Sequence, residues 1–227
     1  MRRLAAPLRR VFTAVLAALL AWPLMAGPAA AHPHVWIDSY VRVIFDENDH
    51  VVALEIDWRF DEFYSLFAIE GLDKDGDGKL EEAELRPLAE LNITSLESYR
   101  YFTYVTVDGA DAAYGEVREY SSSFAEGEGI LSLRFVLPLT VPVDPRKAEF
   151  SLTSYDPSFY ISIEPRQQDG VVLSDGAPEV CAVLMTRGAE TETLNFSDAE
   201  LFGNAQSIAA RFASRAALDC SSRTVTQ

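Results

Sequence analysis

Two runs of alternating apolar and polar residues fix how this 227-residue chain can begin to fold. In residues 35–45, Val35, Ile37, Val41, Val43 and Phe45 fall on one face, with Trp36, Asp38, Tyr40 and Arg42 opposite. In residues 51–60, Val52, Leu54, Ile56, Trp58 and Phe60 share a face, while Glu55, Asp57 and Arg59 point away. A period of two means half-buried strands, and the polar link Asp46-Glu47-Asn48-Asp49 makes them a hairpin. Charge then selects the register. To share a face, opposed residue numbers must sum to an odd value. A sum of 97 sets Asp38 against Arg59 and Arg42 against Glu55, whereas 95 sets Asp38 against Asp57. Opposite charges across strands help and like charges hurt, so the pattern predicts 97.

A helical segment from about Asp61 to Glu70 comes next, then an acidic loop, then a helix near Glu82–Glu97. Leu85, Leu88, Leu91 and Leu96 are available for one side of that helix, and Pro87 falls near its first turn, where a missing N–H does least harm. Strand-like runs dominate afterwards: 101–107, 131–141, 150–155, 159–163 and 180–186. Ser121-Ser122-Ser123 reads as a polar turn. Ser197-Asp198-Ala199-Glu200 is a capping box, and behind it Leu201, Ala205, Ile208, Phe212 and Ala216 repeat at helical spacing. The expected fold is one α+β domain over 32–227, antiparallel, β-rich and sandwich-like. An EF-hand-like helix–loop–helix is inserted at about 61–98, and a helix closes the C-terminal end.

Residues 73–84 read DKDGDGKLEEAE. Asp73, Asp75 and Asp77 stand at positions 1, 3 and 5 of an EF-hand loop, Gly78 at 6, the Lys79 carbonyl at 7, Glu81 at 9 and Glu84 at 12. Alternate residues in a tight turn converge three carboxylates, Gly78 permits the bend, and Glu84 reaches back from the exiting helix. Such an all-oxygen set suits Ca²⁺. No second loop of this pattern exists in the chain, and a structural role for calcium is favoured over sensing.

Residues 1–31 have the form of a cleaved secretory signal: Arg2, Arg3, Arg9 and Arg10, an apolar core from Val11 to Leu20, and Ala29-Ala30-Ala31 at the cleavage site. The Sec and twin-arginine routes both stay open. No other stretch is apolar enough to span a bilayer, so no membrane span is expected after cleavage. Losing the leader takes four arginines and no acid, which moves the formal charge from −16 to −20. That balance excludes nucleic acid as a partner, because phosphates reward Lys and Arg. In an exported chain the two cysteines, Cys181 and Cys220, are expected to form a disulfide that fastens the end of the last helix to the strand bearing Cys181.

Cleavage after Ala31 would free the α-amine of His32 beside its imidazole, with His34 two residues on. Imidazoles suit Zn²⁺, Cu²⁺, Ni²⁺ and Co²⁺. Pro33 has no amide proton to lose, so a square-planar mode through backbone amides is blocked. Amine and two imidazoles remain, with Asp38, Asp61 or His50 as candidates for a further ligand.

The stretches HPHVWID, WRFDEFYS, YFTYVTVDG and LPLTVPVDPRKAEFSLTSYDPSFY, together with the acidic loop and the late Cys181, resemble the exported bacterial domain-of-unknown-function 1007 family. The resemblance covers nearly the whole chain after the leader. Such proteins are often labelled periplasmic components of an uncharacterised ABC-type transport system. The resemblance implies a setting beside an inner-membrane nickel/cobalt-type permease, with His32 and His34 as metal candidates and Asp61 and Asp156 as their neighbours.

Three functions compete at this point. The first is a periplasmic, non-enzymatic accessory protein of transition-metal handling with a calcium-stabilised insertion. The second is an envelope protein–protein interaction module with purely structural calcium. The third is a copper enzyme using an N-terminal histidine brace, for which a distant second histidine is needed. No catalytic residue is identified, since the chain has no GxSxG, no HExxH and no phosphate-cradling Gly-rich loop.

Overall fold

The alternating runs form strands β1 (Val35–Phe45) and β2 (Val51–Phe60), paired antiparallel with Asp38 opposite Arg59 and Arg42 opposite Glu55. The computed structural model describes residues 34–167, 169–188 and 205–221. The register predicted from charge holds from Ile37 to Ile44, then shifts so that Phe45 pairs with Val51. This irregularity turns Val51 into the core and leaves Val52, expected inward, only half-buried. Arg42 comes within 3.8 Å of Glu55, but Arg59 goes elsewhere, 2.6 Å from Glu128.

The chain continues through helices α1 (Glu62–Ala68) and α2 (Glu82–Glu97). Strands β3 (Thr103–Val107), β4 (Ala110–Asp111), β5 (Tyr120–Ala125) and β6 (Ile130–Val143) follow. The last elements are β7 (Phe150–Ser154), β8 (Ile161–Pro165), β9 (Val171–Leu173), β10 (Ala182–Thr186), helix α3 (Ala205–Phe212) and β11 (Arg215–Asp219). One sheet has the order β5-β6-β2-β1-β8, with β9 also on β1; β8 and β9 run parallel to β1 and the other pairs are antiparallel. The second sheet, β10-β11-β7-β3-β4, is antiparallel throughout. Val41, Ile56, Trp58 and Phe135 from the first sheet and Val105, Phe150 and Leu152 from the second belong to one buried cluster. Leu85, Ala89 and Ile93 of α2 belong to it too. The β-rich, two-sheet α+β expectation therefore holds.

Several expected details differ. Leu91 does not join the inner stripe of α2 and is 63% exposed; Leu85, Ala89 and Ile93 carry the contact because they keep the 3–4 spacing of one helix face. Pro87 is the sixth residue of α2, beyond the first turn, so the Ala83 carbonyl has no N–H to accept from in the helix. Tyr101 does not begin a strand. Arg100, Tyr101 and Phe102 form a left-handed 3-10 turn with φ of 55°, 55° and 46°. Each such residue costs roughly 1–2 kcal/mol, offset here by burying the Tyr101 and Phe102 rings.

Ser121–Ser123 lie in strand β5, not in a turn, paired with Arg134, Leu133 and Ser132 of β6. Ala216 belongs to strand β11 between β7 and β10, so the helical repeat ends at Phe212. The disulfide Cys181–Cys220 is present, but it ties the start of β10 to the end of β11, strand to strand. Leu201 and the Ser197–Glu200 capping box, like the leader and His32, lie outside the described residues. Among the described residues no helix is long and apolar enough to cross a membrane.

Candidate metal centre

The segment between α1 and α2 is held by its own carboxylates. Asp73 Oδ1 accepts from Gly76 N at 2.7 Å and its Oδ2 from Gly78 N at 3.0 Å. Asp75 accepts from Asp77 N at 3.1 Å, and Asp77 from Lys79 N at 2.8 Å. From the first turn of α2, Glu84 reaches back to accept from Lys74 N at 2.6 Å and from Glu81 N at 3.4 Å. Short Asp side chains stabilise turns by bonding N–H groups two or three residues on, which explains why this composition makes a tight loop. Gly76 and Gly78 have φ of 76° and 83°, a region that L side chains rarely adopt. The sequence pattern marks Gly78 but passes over Gly76, whose signal is the Asp-Gly-Asp-Gly repeat.

Two groups of carboxylates converge. Asp73, Asp75 and Glu84 place oxygens within 4.8 Å of one another, and so do Asp75, Asp77 and Glu81. Asp75 belongs to both. A backbone N–H holds the Glu81 carboxyl down, yet desolvation and repulsion from Asp77 and Glu84 raise it overall above the ordinary value. Like charges at this separation cost on the order of 1 kcal/mol per pair even in water, so the cluster is one that a cation would relieve. Leu80 packs its side chain against the core from the middle of the loop and ties the loop to the sheet. The cluster can hold a hard cation through oxygen ligands. These are five of the six residues singled out for this loop; the sixth, Lys79, stands between them, its N–H bonded to Asp77.

The histidine candidates are placed differently. His34 enters β1 with its N–H on Tyr160 O at 2.8 Å and its ring 4.9 Å from that of Tyr160. Asp61 caps α1, accepting from Tyr64 N at 2.9 Å, and its other oxygen accepts from Trp36 N at 3.0 Å. Asp156 is buried and accepts from Ser158, Tyr160 and Ile161. Asp61 and Asp156 thus sit at the same end of β1 as His34, but their oxygens hold backbone N–H groups. Asp38 lies on the outer face of the sheet opposite Arg59. His50 is at the other end of β1, in the hairpin turn, where its N–H bonds Asp46 at 2.9 Å. It cannot pair with His34. Among the described residues, His34 belongs to no group of three or more His, Cys, Asp or Glu ligands.

A family model described as "Protein of unknown function (DUF1007)" matches residues 15–220. An uncharacterised protein of Haemophilus influenzae is 26% identical over 148 residues, covering 63% of this chain and 68% of that protein. An "uncharacterized 15.5 kDa protein in trpE 3'region" of Spirochaeta aurantia is 28% identical over 88 residues, 39% of this chain and 61% of that protein.

Proposed function

We propose that this chain, which belongs to the DUF1007 family of proteins of unknown function, is an exported calcium-binding accessory protein of transition-metal handling. It works in the periplasm beside an inner-membrane metal permease and is not an enzyme. The observation that carries this reading is the convergence of Asp73, Asp75 and Glu84, and of Asp75, Asp77 and Glu81, in one loop. Two oxygens bound to one calcium ion at about 2.3–2.6 Å lie at most about 5 Å apart, and within each of the two groups the carboxylate oxygens, all within 4.8 Å of one another, meet that condition. The spacing of the ligands, the glycine at position 6 and the carbonyl of Lys79 at position 7 favour calcium over magnesium, which keeps most of its waters.

Metal handling rests on the imidazoles of His32 and His34 and the amine freed by signal cleavage. Nickel, cobalt, zinc and copper all accept such a donor set. The test starts from protein exported with its leader, its first residue fixed by mass spectrometry. Calcium is titrated calorimetrically into the wild type and E84Q, and each transition metal into the wild type, H32A and H34A. Calcium binding lost in E84Q, with micromolar metal binding lost in both histidine variants, supports the reading. Metal binding that ignores both histidines removes the metal-handling half.

A second reading, an interaction module with structural calcium, has an observation of its own. Phe63, Leu66 and Phe67 form one face of α1 and are 82%, 52% and 71% exposed. Three large apolar residues at i, i+3 and i+4 left in solvent are characteristic of a contact surface.

A further inference from the structure

A basin of about 450 Å³ lies on the outer face of the first sheet and shares no residue with the acidic loop. Its floor is a row of directly opposed residues, Tyr40, Asp57 and Arg134, on three adjacent strands. The next row adds Arg42 opposite Glu55. Arg166 and Asp169, which lie between β8 and β9, form the wall. That wall is pinned on both sides of Tyr40: Arg166 N donates to Ser39 O at 3.0 Å, and Val41 N donates to Gly170 O at 2.8 Å.

The three guanidiniums are not equally engaged. Arg134 has a close partner, Glu55 at 2.7 Å. Among the described residues, Arg42 has Glu55 at 3.8 Å, the Tyr40 hydroxyl at 3.3 Å and a weaker attraction from Asp175. Arg166 lies 4.7 Å over the Tyr40 ring, with Asp169 at 3.8 Å, and its buried Nε has no hydrogen-bond partner among the described residues. A buried N–H left unpaired costs free energy, and a guanidinium presents its donors in a fixed fork that matches a carboxylate. Both under-used forks flank one ring, since the Arg42 guanidinium is 5.9 Å from the same Tyr40 centroid. Asp57, on the floor opposite Tyr40 and within the field of Arg166 and Arg134, accepts no hydrogen bond among the described residues.

We propose that this basin binds a small α-hydroxy or α-amino carboxylate. Its carboxylate lies between Arg42 and Arg166 at the Tyr40 hydroxyl, and its hydroxyl or ammonium group donates to Asp57. The volume falls within the roughly 300–1,000 Å³ of ordinary small-molecule sites. Charge sets the ligand class. Three arginines stand against Glu55, Asp57 and Asp169, so the basin is neutral in sum and suits a ligand that sets a carboxylate against arginine and a donor against Asp57, rather than a compact dianion. Burial raises the Asp57 carboxyl above its ordinary value despite the arginines around it, as expected of an acceptor that lacks its donor.

The test is calorimetric titration of glycolate, glycine, acetate and inorganic phosphate into the full chain, without added calcium and at fixed ionic strength. The variants are R42A, R166A, R166K and D57N, each checked for a native circular dichroism spectrum. Glycolate or glycine is expected to bind the wild type, at least tenfold more weakly in R42A and R166A. D57N is expected to bring either ligand down to the level of acetate. R166K keeps the charge without the fork and answers for R166A if that variant does not fold; it too should weaken binding. Absence of binding by both ligands, or binding indifferent to R42A and to both Arg166 variants, overturns the site. Phosphate binding more tightly than either overturns the ligand class. None of these outcomes bears on the calcium reading, whose ligands are separate.

Discussion

Two side chains show how closely this fold depends on single polar contacts. Ser65 is fully buried on α1; its hydroxyl donates to Asp61 O at 2.7 Å and accepts from Leu131 N at 2.9 Å, tying the helix to β6. Replacing it with alanine leaves a buried N–H unpaired, which costs about 1–3 kcal/mol. S65A is expected to lower the unfolding free energy by that amount, read from urea denaturation in saturating calcium. Asp57 acts in the opposite sense. Desolvation raises its carboxyl, and attraction from Arg166, Arg134 and Arg59 only partly opposes this. The folded state therefore holds the proton more tightly than the unfolded chain, whose value is near 3.9, so stability is lost as pH rises from there through the folded value. D57N removes that loss. It is expected to melt above the wild type at pH 7, with the gap closing below about pH 4; an equal or lower melting temperature at pH 7 contradicts the sign.

Helix α2 carries a prediction of its own at the level of the element. Pro87 in its second turn removes one helical hydrogen bond to the exposed Ala83. A helix-interior proline is about 3 kcal/mol less favourable than alanine, so P87A is expected to stabilise by about 1–2 kcal/mol after relaxation already present around the proline. Urea denaturation would show it, and a destabilised P87A would mean that the proline sets the seating of α2. The same element scale marks where sequence was legible. The register of β1 on β2 was, because Asp38, Arg42, Glu55 and Arg59 carry charges that distinguish neighbouring registers. The acidic loop was too, because its ligands lie within twelve residues. Strand β5 was not: its serines have weak strand preference, and pairing with β6 decides their conformation. Strand β11 was hidden by alanines at helical spacing, and only β7 and β10 on either side make it a strand. The basin was invisible for a further reason. Arg166 and Tyr40 meet across more than a hundred residues of sequence, and only the parallel pairing of β8 and β9 on β1 brings them together.

For the molecule as a whole, the insertion between β2 and β3 supplies the helix that covers part of the core, and the acidic loop fixes the turn between its two helices. Five carboxylates gathered in a chain of formal charge −16 work against that turn until a cation joins them. A cation bound to the folded chain stabilises it by mass action, about 2.7 kcal/mol at one hundred times the dissociation constant. For a domain of this size each kcal/mol shifts melting by roughly 2–4 °C, so chelation is expected to lower the melting temperature by about 5–11 °C. Asp75 serves both carboxylate groups, and D75N is expected to lose most of the difference between calcium and chelator. Because removing one negative charge also relieves repulsion, D75N in chelator is expected to melt at or above the wild type in chelator. Sodium chloride at matched ionic strength screens charge without occupying the site and is expected to recover only a small part of the shift. A chelator effect of equal size in D75N and wild type would place the stabilising cation elsewhere. A shift fully reproduced by sodium chloride would mean that the loop responds to screening alone.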